Sequence, residues 1–371
     1  MSGQLTIDGR VRDEDDGEPI DVGFVGCGGH AFRNVYPTIQ FADVNLVATC
    51  DLDEERARAY ADQFGADRAY TDYREMLTAE TVDAVFAVLD YDESGRPKYP
   101  AIATDAMEAG CDVWIEKPPA ASVDEIDSLL EVEERTGQFV QIGFKKCFAP
   151  AVEQARSIVE SDEFGPLNTL SVRYPQRLPG RDGRERNGRG RSIEHGPALV
   201  DVLDHVVHPG SIVSYLGGPI DTVTTQSGSG GGGFITLRFE NGAVGSIHMA
   251  RGSSGRSPLE RVEAIGDGAN VVIENGIDVT YYRPSERPAY GIATTYTGDS
   301  SDAPVSWKPE FSLGQLNNKN LFTLGYYHEV QHFAECCRSG EKPSKAGLPM
   351  AREVLQLYEA ILAAEDEIVA L

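Results

Sequence analysis

From Ile20 onward short apolar runs alternate with amphipathic stretches. IDVGFVG, VNLVATCD, VDAVFAVL, CDVWIEKP and FVQIGF read as buried strands, and helical periods fall near 31–41, 53–64, 99–109 and 122–136. Strands that alternate with helices predict βαβ units and a parallel sheet. The pattern changes after about Phe144. A helix near 149–161 precedes a loop rich in Gly and Arg and a further helix, and then come FITLRFENGAVGSIHMA and ANVVIENGIDVTYY. Their ENG turns predict hairpins of a largely antiparallel sheet. From Tyr326 the chain reads as two helices expected to pack back on the first domain. SGSGGGG at 227–233 sits between strand-like runs and is expected to be a mobile hairpin loop.

With 371 residues the chain exceeds one ordinary core, so two domains are expected, over 20–143 and 144–325, with C-terminal helices over 326–371. Residues 1–19, with the acidic run DEDDGEP, read as a flexible solvated tail. The formal charge of −26 argues against nucleic acid and anionic membrane as partners, since both are polyanions, and favours a small-molecule ligand. Only eight of the 33 basic residues are Lys, and this acidic, Lys-poor composition suggests adaptation to concentrated salt, where self-repulsion is screened. Cys27, Cys50, Cys111, Cys147, Cys336 and Cys337 form no CxxC pair, and the reading is a reducing, cytoplasmic setting with no secretion signal or membrane span. The vicinal Cys336 and Cys337 read as small buried hydrophobes in a helix.

VGFVGCGGHA places Gly26 and Gly28 at the end of the first strand and Ala31 where the next helix must approach the sheet, a GxGxxA pattern. Side chains in that turn would block backbone N–H groups from a pyrophosphate resting on the helix N-terminus. Asp51, closing the second strand, can accept hydrogen bonds from both ribose hydroxyls. A carboxylate there repels a 2′-phosphate, and Leu52 and Asp53 supply no Arg to receive one, so NAD is expected, with NADP as the alternative. The fold class is accordingly α/β: an N-terminal Rossmann domain with a doubly wound parallel sheet, then an α/β domain with an open, largely antiparallel sheet. The competing reading is a Rossmann-like domain that binds another nucleotide or none.

A later strand ends in VWIEKPPA, with Glu116, Lys117 and Pro118. Together with AMEAGCDVWIEKPPA, GFKKCFAPA, FENGAVGSI and the closing GEKP, it resembles the glucose-fructose oxidoreductase, inositol dehydrogenase and rhizopine-catabolism (Gfo/Idh/MocA) family from about residue 20 to the C-terminus. Independently, a Lys at the carboxyl edge of a parallel sheet points into the crevice where open α/β sheets bind ligands. Lys117 can there hydrogen-bond a reacting hydroxyl and stabilise a developing alkoxide. On this reading Gly26, Gly28, Gly29, His30, Asp51, Leu89, Glu116 and Lys117 bind the cofactor, and the substrate is a sugar, sugar acid or polyol.

The resemblance also implies a helix carrying Asp and His four residues apart, the His serving as acid or base. ALVDVLDHVVHPGSIVSYLGGP offers Asp201 with His205 and Asp204 with His208. All four fall on one helical stripe at i, i+3, i+4 and i+7. Asp204 and His208 are favoured because the spacing to Gly217 and Gly218 then needs no insertion, which leaves His205 as a substrate-binding candidate. Two departures are evident: the family's further Asp is Ser211 in this register, and its usual His before the EKP helix is Tyr99. The stripe admits a zinc alternative, although nothing else completes a metal motif. Lys146 matches a position where the family often places a basic residue beside the substrate; the bland alternative is a surface Lys at a domain junction. RLPGRDGRERNGRGRS crowds Arg177, Arg181, Arg184, Arg186, Arg189 and Arg191 before that helix, which suggests an anionic substrate clamped by guanidinium groups. The bland reading pairs this loop with acidic surface. Family analogy implies a homodimer or homotetramer built through the second sheet. Two rival functions remain open: a redox-neutral glycosidase or lyase using held NAD, and a non-catalytic NAD-binding sensor or assembly protein.

Overall fold

The computed structural model describes residues 4–5, 11–12, 17–178, 197–284, 303–309, 320–364 and 366–371; the side chains of 4, 5, 11, 12, 197–202 and 204 are not described. The chain divides into two compact units, Met1–Lys145 with Tyr326–Arg352, and Lys146–Gly325 with Glu353–Leu371. A two-residue antiparallel ladder pairs Gln4–Leu5 with Val11–Arg12 near the N-terminus.

The first unit is a six-stranded parallel sheet. Its strands are β1 (Ile20–Val25), β2 (Val44–Cys50), β3 (Arg68–Tyr70), β4 (Ala84–Ala87), β5 (Asp112–Ile115) and β6 (Val140–Ile142). They lie in the order β3-β2-β1-β4-β5-β6, the doubly wound Rossmann arrangement, whose crevice opens at the carboxyl ends of β1 and β4 where the order reverses. The expected strands and helices are all present. The expected helix near 31–41 opens as a π-turn over Ala31–Val35 and continues as α1 (Tyr36–Ile39). Strand β3 and helix α3 (Tyr73–Ala79) were not expected: three residues and two turns with Met76 as the single fully buried side chain carry no readable period.

Local chemistry marks the other ends. Asp53 accepts from the Arg56 N–H to open α2 (Glu54–Phe64), which stops at Gly65 in the left-handed region. Ser122 does the same for α5 (Val123–Thr136), closed by Gly137; between them stands α4 (Tyr99–Glu108). Phe24 of β1 stacks on Tyr36 of α1 at 3.9 Å, tying strand to helix, and Phe86 of β4 stacks on Trp114 of the adjacent β5 at 5.4 Å.

In the second unit α6 (Pro150–Val159) and α7 (Pro197–Gly217) accompany a nine-stranded sheet. Its strands are β7 (Thr169–Tyr174), β8 (Ile220–Ser227), β9 (Gly233–Phe239), β10 (Val244–Met249), β11 (Arg261–Ile265), β12 (Asn270–Glu274), β13 (Asp278–Tyr282), β14 (Val305–Trp307) and β15 (Val369–Ala370). The order is β14-β13-β12-β11-β7-β10-β9-β8-β15. Every pair is antiparallel except β7 with β10, so the sheet is mixed and largely antiparallel, as expected. Both ENG turns close hairpins, and Asn275 and Gly276 take positive φ in the second. The 227–233 segment joins β8 to β9 with Ser227 opposite Gly233.

Short α8 (Asn320–Thr323) leads to α9 (Tyr326–Ser339) and α10 (Leu348–Ala363). Helix α9 lies in the first unit, where Phe333 meets Phe86 edge-on at 5.2 Å. The chain passes to the second unit inside α10, between Arg352 and Glu353. All six cysteines are free thiols; Cys336 is buried and Cys337 half-buried.

Candidate functional site

In the first unit the site grows from the end of β1. Gly26 has φ +104°, and a Cβ there would stand 2.0 Å from the Val88 carbonyl oxygen, so only glycine fits beneath β4. A Cβ on Gly28 would meet no atom of the described residues within 4 Å, and one on Gly29 would approach Arg33 Nη1 at 3.4 Å. Among the described residues nothing requires Gly28 to lack a side chain, which marks an open cradle at the start of the first helical turn. Tyr60 steadies it by donating to the Gly28 carbonyl at 3.2 Å.

Asp51 is held by two backbone donors, one from that turn and one from the loop after β2. Its Oδ2 accepts from the Cys27 N–H at 2.8 Å and its Oδ1 from the Asp53 N–H at 3.0 Å. Arg56, from the first turn of α2, reaches Asp51 Oδ1 at 3.5 Å and Asp53 Oδ2 at 3.3 Å with half of its side chain exposed. The expectation weighed only Leu52 and Asp53, yet a guanidinium does stand beside the Asp51 carboxylate. It was overlooked because the helix, rather than the loop, delivers it.

At the end of β5, Glu116 is buried and His30 Nε2 donates to its Oε1 at 2.8 Å. Asn34 Nδ2 lies 3.3 Å from His30 Nδ1 on the other side of the ring. The second oxygen of Glu116 accepts from the Lys117 N–H at 2.9 Å. Burial alone would raise this carboxyl; the His30 hydrogen bond and the charges of His30, Lys117 and Lys145 outweigh burial and hold it below the ordinary range. Two of the expected cofactor residues, 86 positions apart in sequence, are thus one hydrogen-bonded pair. The Lys117–Pro118 peptide is cis, and the Lys117 side chain is half-buried. Tyr99, standing where the family pattern has His, ties down another expected residue: its hydroxyl donates to the Leu89 carbonyl and accepts from the Leu89 N–H, both at 3.1 Å.

The second unit carries the other candidates on α7. His205 and His208 are half-buried between buried Leu203, Val206 and Val207. Pro209 lies inside the helix and cannot donate to the carbonyl of His205 four residues back. The Tyr174 ring, at the end of β7, lies 6.3 Å from the His208 imidazole. Ser211 is fully buried and its hydroxyl donates to the His208 carbonyl at 2.9 Å, so it serves the helix backbone. The backbone of Asp201 and Asp204 continues the helix, but their side chains lie outside the described residues, so neither register gains here.

Lys146 is not the surface residue of the bland alternative. Its side chain is 6% exposed and its ammonium meets Glu260 Oε2 at 2.6 Å. The pair lines a small cavity with Arg173, Tyr174 and Ile212, so Lys146 and the neighbour of His208 share one space. Glu260 and Tyr174 carried no signal in the sequence beyond their residue types. Arg177 is half-buried; Arg181, Arg184, Arg186, Arg189 and Arg191 lie outside the described residues. Among the described residues no group of three or more His, Cys, Asp or Glu could hold a metal ion, and no helix is long and apolar enough to cross a membrane.

Comparison with known proteins bears on the family and the fold. The model of the oxidoreductase family, NAD-binding Rossmann fold, matches residues 20–144, and that of the GFO/IDH/MocA C-terminal domain matches residues 152–272. The chain is 24% identical over 352 residues to D-xylose 1-dehydrogenase (NADP(+)) 2 of Haloferax volcanii, covering 91% of this chain and 96% of that protein. It is 25% identical over 311 residues to scyllo-inositol 2-dehydrogenase (NAD(+)) of Bacillus subtilis, covering 80% of each. An oxidoreductase from Agrobacterium radiobacter, solved in complex with NAD+, L-tartaric acid and magnesium, shares the fold with a TM-score of 0.74 at 16% identity, over 95% of this chain and 98% of that one.

Proposed function

Because the chain belongs to the GFO/IDH/MocA family of oxidoreductases, with an NAD-binding Rossmann domain, we propose that it is a dehydrogenase acting on a hydroxyl carbon of a sugar, sugar acid or polyol. The observation that carries the reading is the turn after β5. Lys117 stands there at the carboxyl edge of the parallel sheet, next to a Glu116 carboxylate bonded to His30, which follows the glycine turn. The xylose and inositol dehydrogenases among the similar proteins support the substrate class.

When bound, the dinucleotide supplies the acceptor for the hydrogen that leaves carbon with its electron pair. The open cradle at Gly28 and Gly29 takes the pyrophosphate and Asp51 the ribose hydroxyls. Lys117 hydrogen-bonds the reacting hydroxyl and stabilises negative charge growing on its oxygen. His208, oriented by Asp204, takes the hydroxyl proton, and the alcohol becomes a ketone; the reverse order of steps reduces a ketone. Arg177 and the arginines that follow it favour an anionic sugar, with Lys146 and His205 as further substrate contacts. Exposed Phe234, Ile265 and Tyr282 on the sheet of the second unit support a homo-oligomer built through that face.

The test is NADH formation, followed by absorbance, across neutral sugars, sugar acids and inositols with NAD and with NADP. Lys117→Met and His208→Asn should each lower kcat by about 10²–10⁴-fold. Wild-type rates in both variants would remove the assigned roles. Cofactor that copurifies and never accumulates as NADH would point instead to a redox-neutral lyase or glycosidase.

A further inference from the structure

A carboxyl that the proposed chemistry does not use lies in the same unit as the Glu116 turn. Glu329, on α9, is 1% exposed, and neither carboxyl oxygen has a hydrogen-bond partner among the described residues. Polar groups on the neighbouring segments are hydrogen-bonded. Gln141 of β6 donates from Nε2 to the Glu329 backbone carbonyl at 2.9 Å, and its Oε1 meets His332 Nδ1 at 2.8 Å. A Cβ on Gly143 would stand 3.3 Å from Glu116 Cα, so the chain after β6 presses against the turn after β5. Two residues later Lys145 donates to the Tyr326 hydroxyl at 2.6 Å and lies 4.1 Å over the Tyr326 ring. Tyr326 opens the helix that carries Glu329, and its ring lies 6.3 Å from that of His30.

The charged groups that act on Glu329 come from three segments: Glu116 after β5, Lys145 after β6, and Lys345 before α10. His332 is its titratable neighbour one turn along α9. Burial first, and then the negative charge of Glu116, push the Glu329 carboxyl well above its ordinary range against the pull of Lys145 and Lys345. An ionised carboxylate with no donor in so dry a place is strongly disfavoured, whereas a neutral acid is tolerated.

We propose that Glu329 is a positioning residue for the turn that holds Glu116 and Lys117, present as a neutral acid so that Glu116 faces His30, Lys117 and Lys145 as the charged carboxylate. Ionised Glu329 would compete for Lys145 and raise the proton affinity of Glu116. That would loosen the His30 bond and shift the backbone from which Lys117 projects. The inference rests on the reading of this turn as a nicotinamide-binding element.

The test uses the full chain as wild type and as Glu329→Gln, with two readouts from neutral into alkaline pH: the infrared band of a protonated carboxyl, and the dissociation constant of NADH by fluorescence. Wild type should show at neutral pH a band that E329Q lacks. As that band disappears, wild-type affinity for NADH should fall by about tenfold, the equivalent of one pKa unit of coupling, while E329Q shows no such fall. Absence of the band, or parallel affinity profiles in the two proteins, overturns the proposal. Should E329Q not fold, wild type decides alone, since band and affinity must then be lost at one pH and separate midpoints overturn it. Wild type that binds no NADH refutes the cofactor reading and this inference with it; parallel profiles with NADH bound refute this inference only.

Discussion

Replacing Gly26 and Gly28 by alanine separates what the fold needs from what the ligand needs. At Gly26 the methyl group must occupy φ +104° and a point 2.0 Å from the Val88 carbonyl oxygen and 2.9 Å from its carbon. The backbone conformation costs about 1–3 kcal/mol, and displacing the end of β4 to relieve the overlap costs roughly 1–3 kcal/mol more. Gly26→Ala should therefore lose on the order of 2–6 kcal/mol, a large part of the ~5–15 kcal/mol that holds a typical domain together. Gly28 differs in both respects, with no atom of the described residues within 4 Å of its Cβ position. Gly28→Ala should fold with wild-type stability or gain up to about 1 kcal/mol through its less flexible unfolded chain. Its loss should appear in NADH binding, because the methyl group displaces a phosphate oxygen from backbone N–H groups, and a hydrogen bond to a charged group is worth about 1.5–3 kcal/mol, tenfold or more in affinity. Denaturant unfolding followed by circular dichroism reads the first effect, and NADH fluorescence titration reads the second. Wild-type NADH affinity in Gly28→Ala would refute the placement of the pyrophosphate; wild-type stability in Gly26→Ala would refute the steric argument.

Asp51→Ala removes the carboxylate that repels a 2′-phosphate and leaves Arg56 to receive one, so the ratio of kcat/KM for NADP to that for NAD should rise by about tenfold or more; an unchanged ratio places the ribose elsewhere. Glu260→Gln leaves the Lys146 ammonium buried without its counter-charge, which should cost about 1–3 kcal/mol in urea unfolding after allowance for the partial exposure of the pair; no loss would mean that Lys146 finds another anion. Burial raises Asp112 to about 6, against the hydrogen bond it accepts from the Phe139 N–H. A carboxyl whose folded value is raised contributes stability while protonated and loses it as pH climbs through that value. Unfolding free energy should thus decline from pH 4 toward 7 by on the order of 2 kcal/mol; Asp112→Asn should flatten that decline, and identical slopes would exclude Asp112 as its source.

The doubly wound domain was legible from residue order because its information is local. Apolar runs of four to seven residues, amphipathic helices capped by Asp53 and Ser122, and a turn that tolerates only glycine at Gly26 depend on neighbours a few positions away. The ENG hairpins were readable for the same reason. Where a local signal was too short, as for β3 and α3, the pattern fell silent.

Other features depended on chain segments brought together from a distance. His30 pairs with Glu116, and Lys146 finds Glu260 across 114 residues, because sheet order and strand register bring their segments together. The parallel pairing of β7 with β10 inside a sheet of hairpins, and the passage of α10 from one unit to the other, likewise leave no trace in any single window. Burial is the clearest case. Nothing in the residue order marks Glu329, and only the packing of α9 in the Rossmann unit buries its carboxyl away from bulk solvent. A charge's cost depends on the medium around it, and that medium is assembled by the tertiary structure.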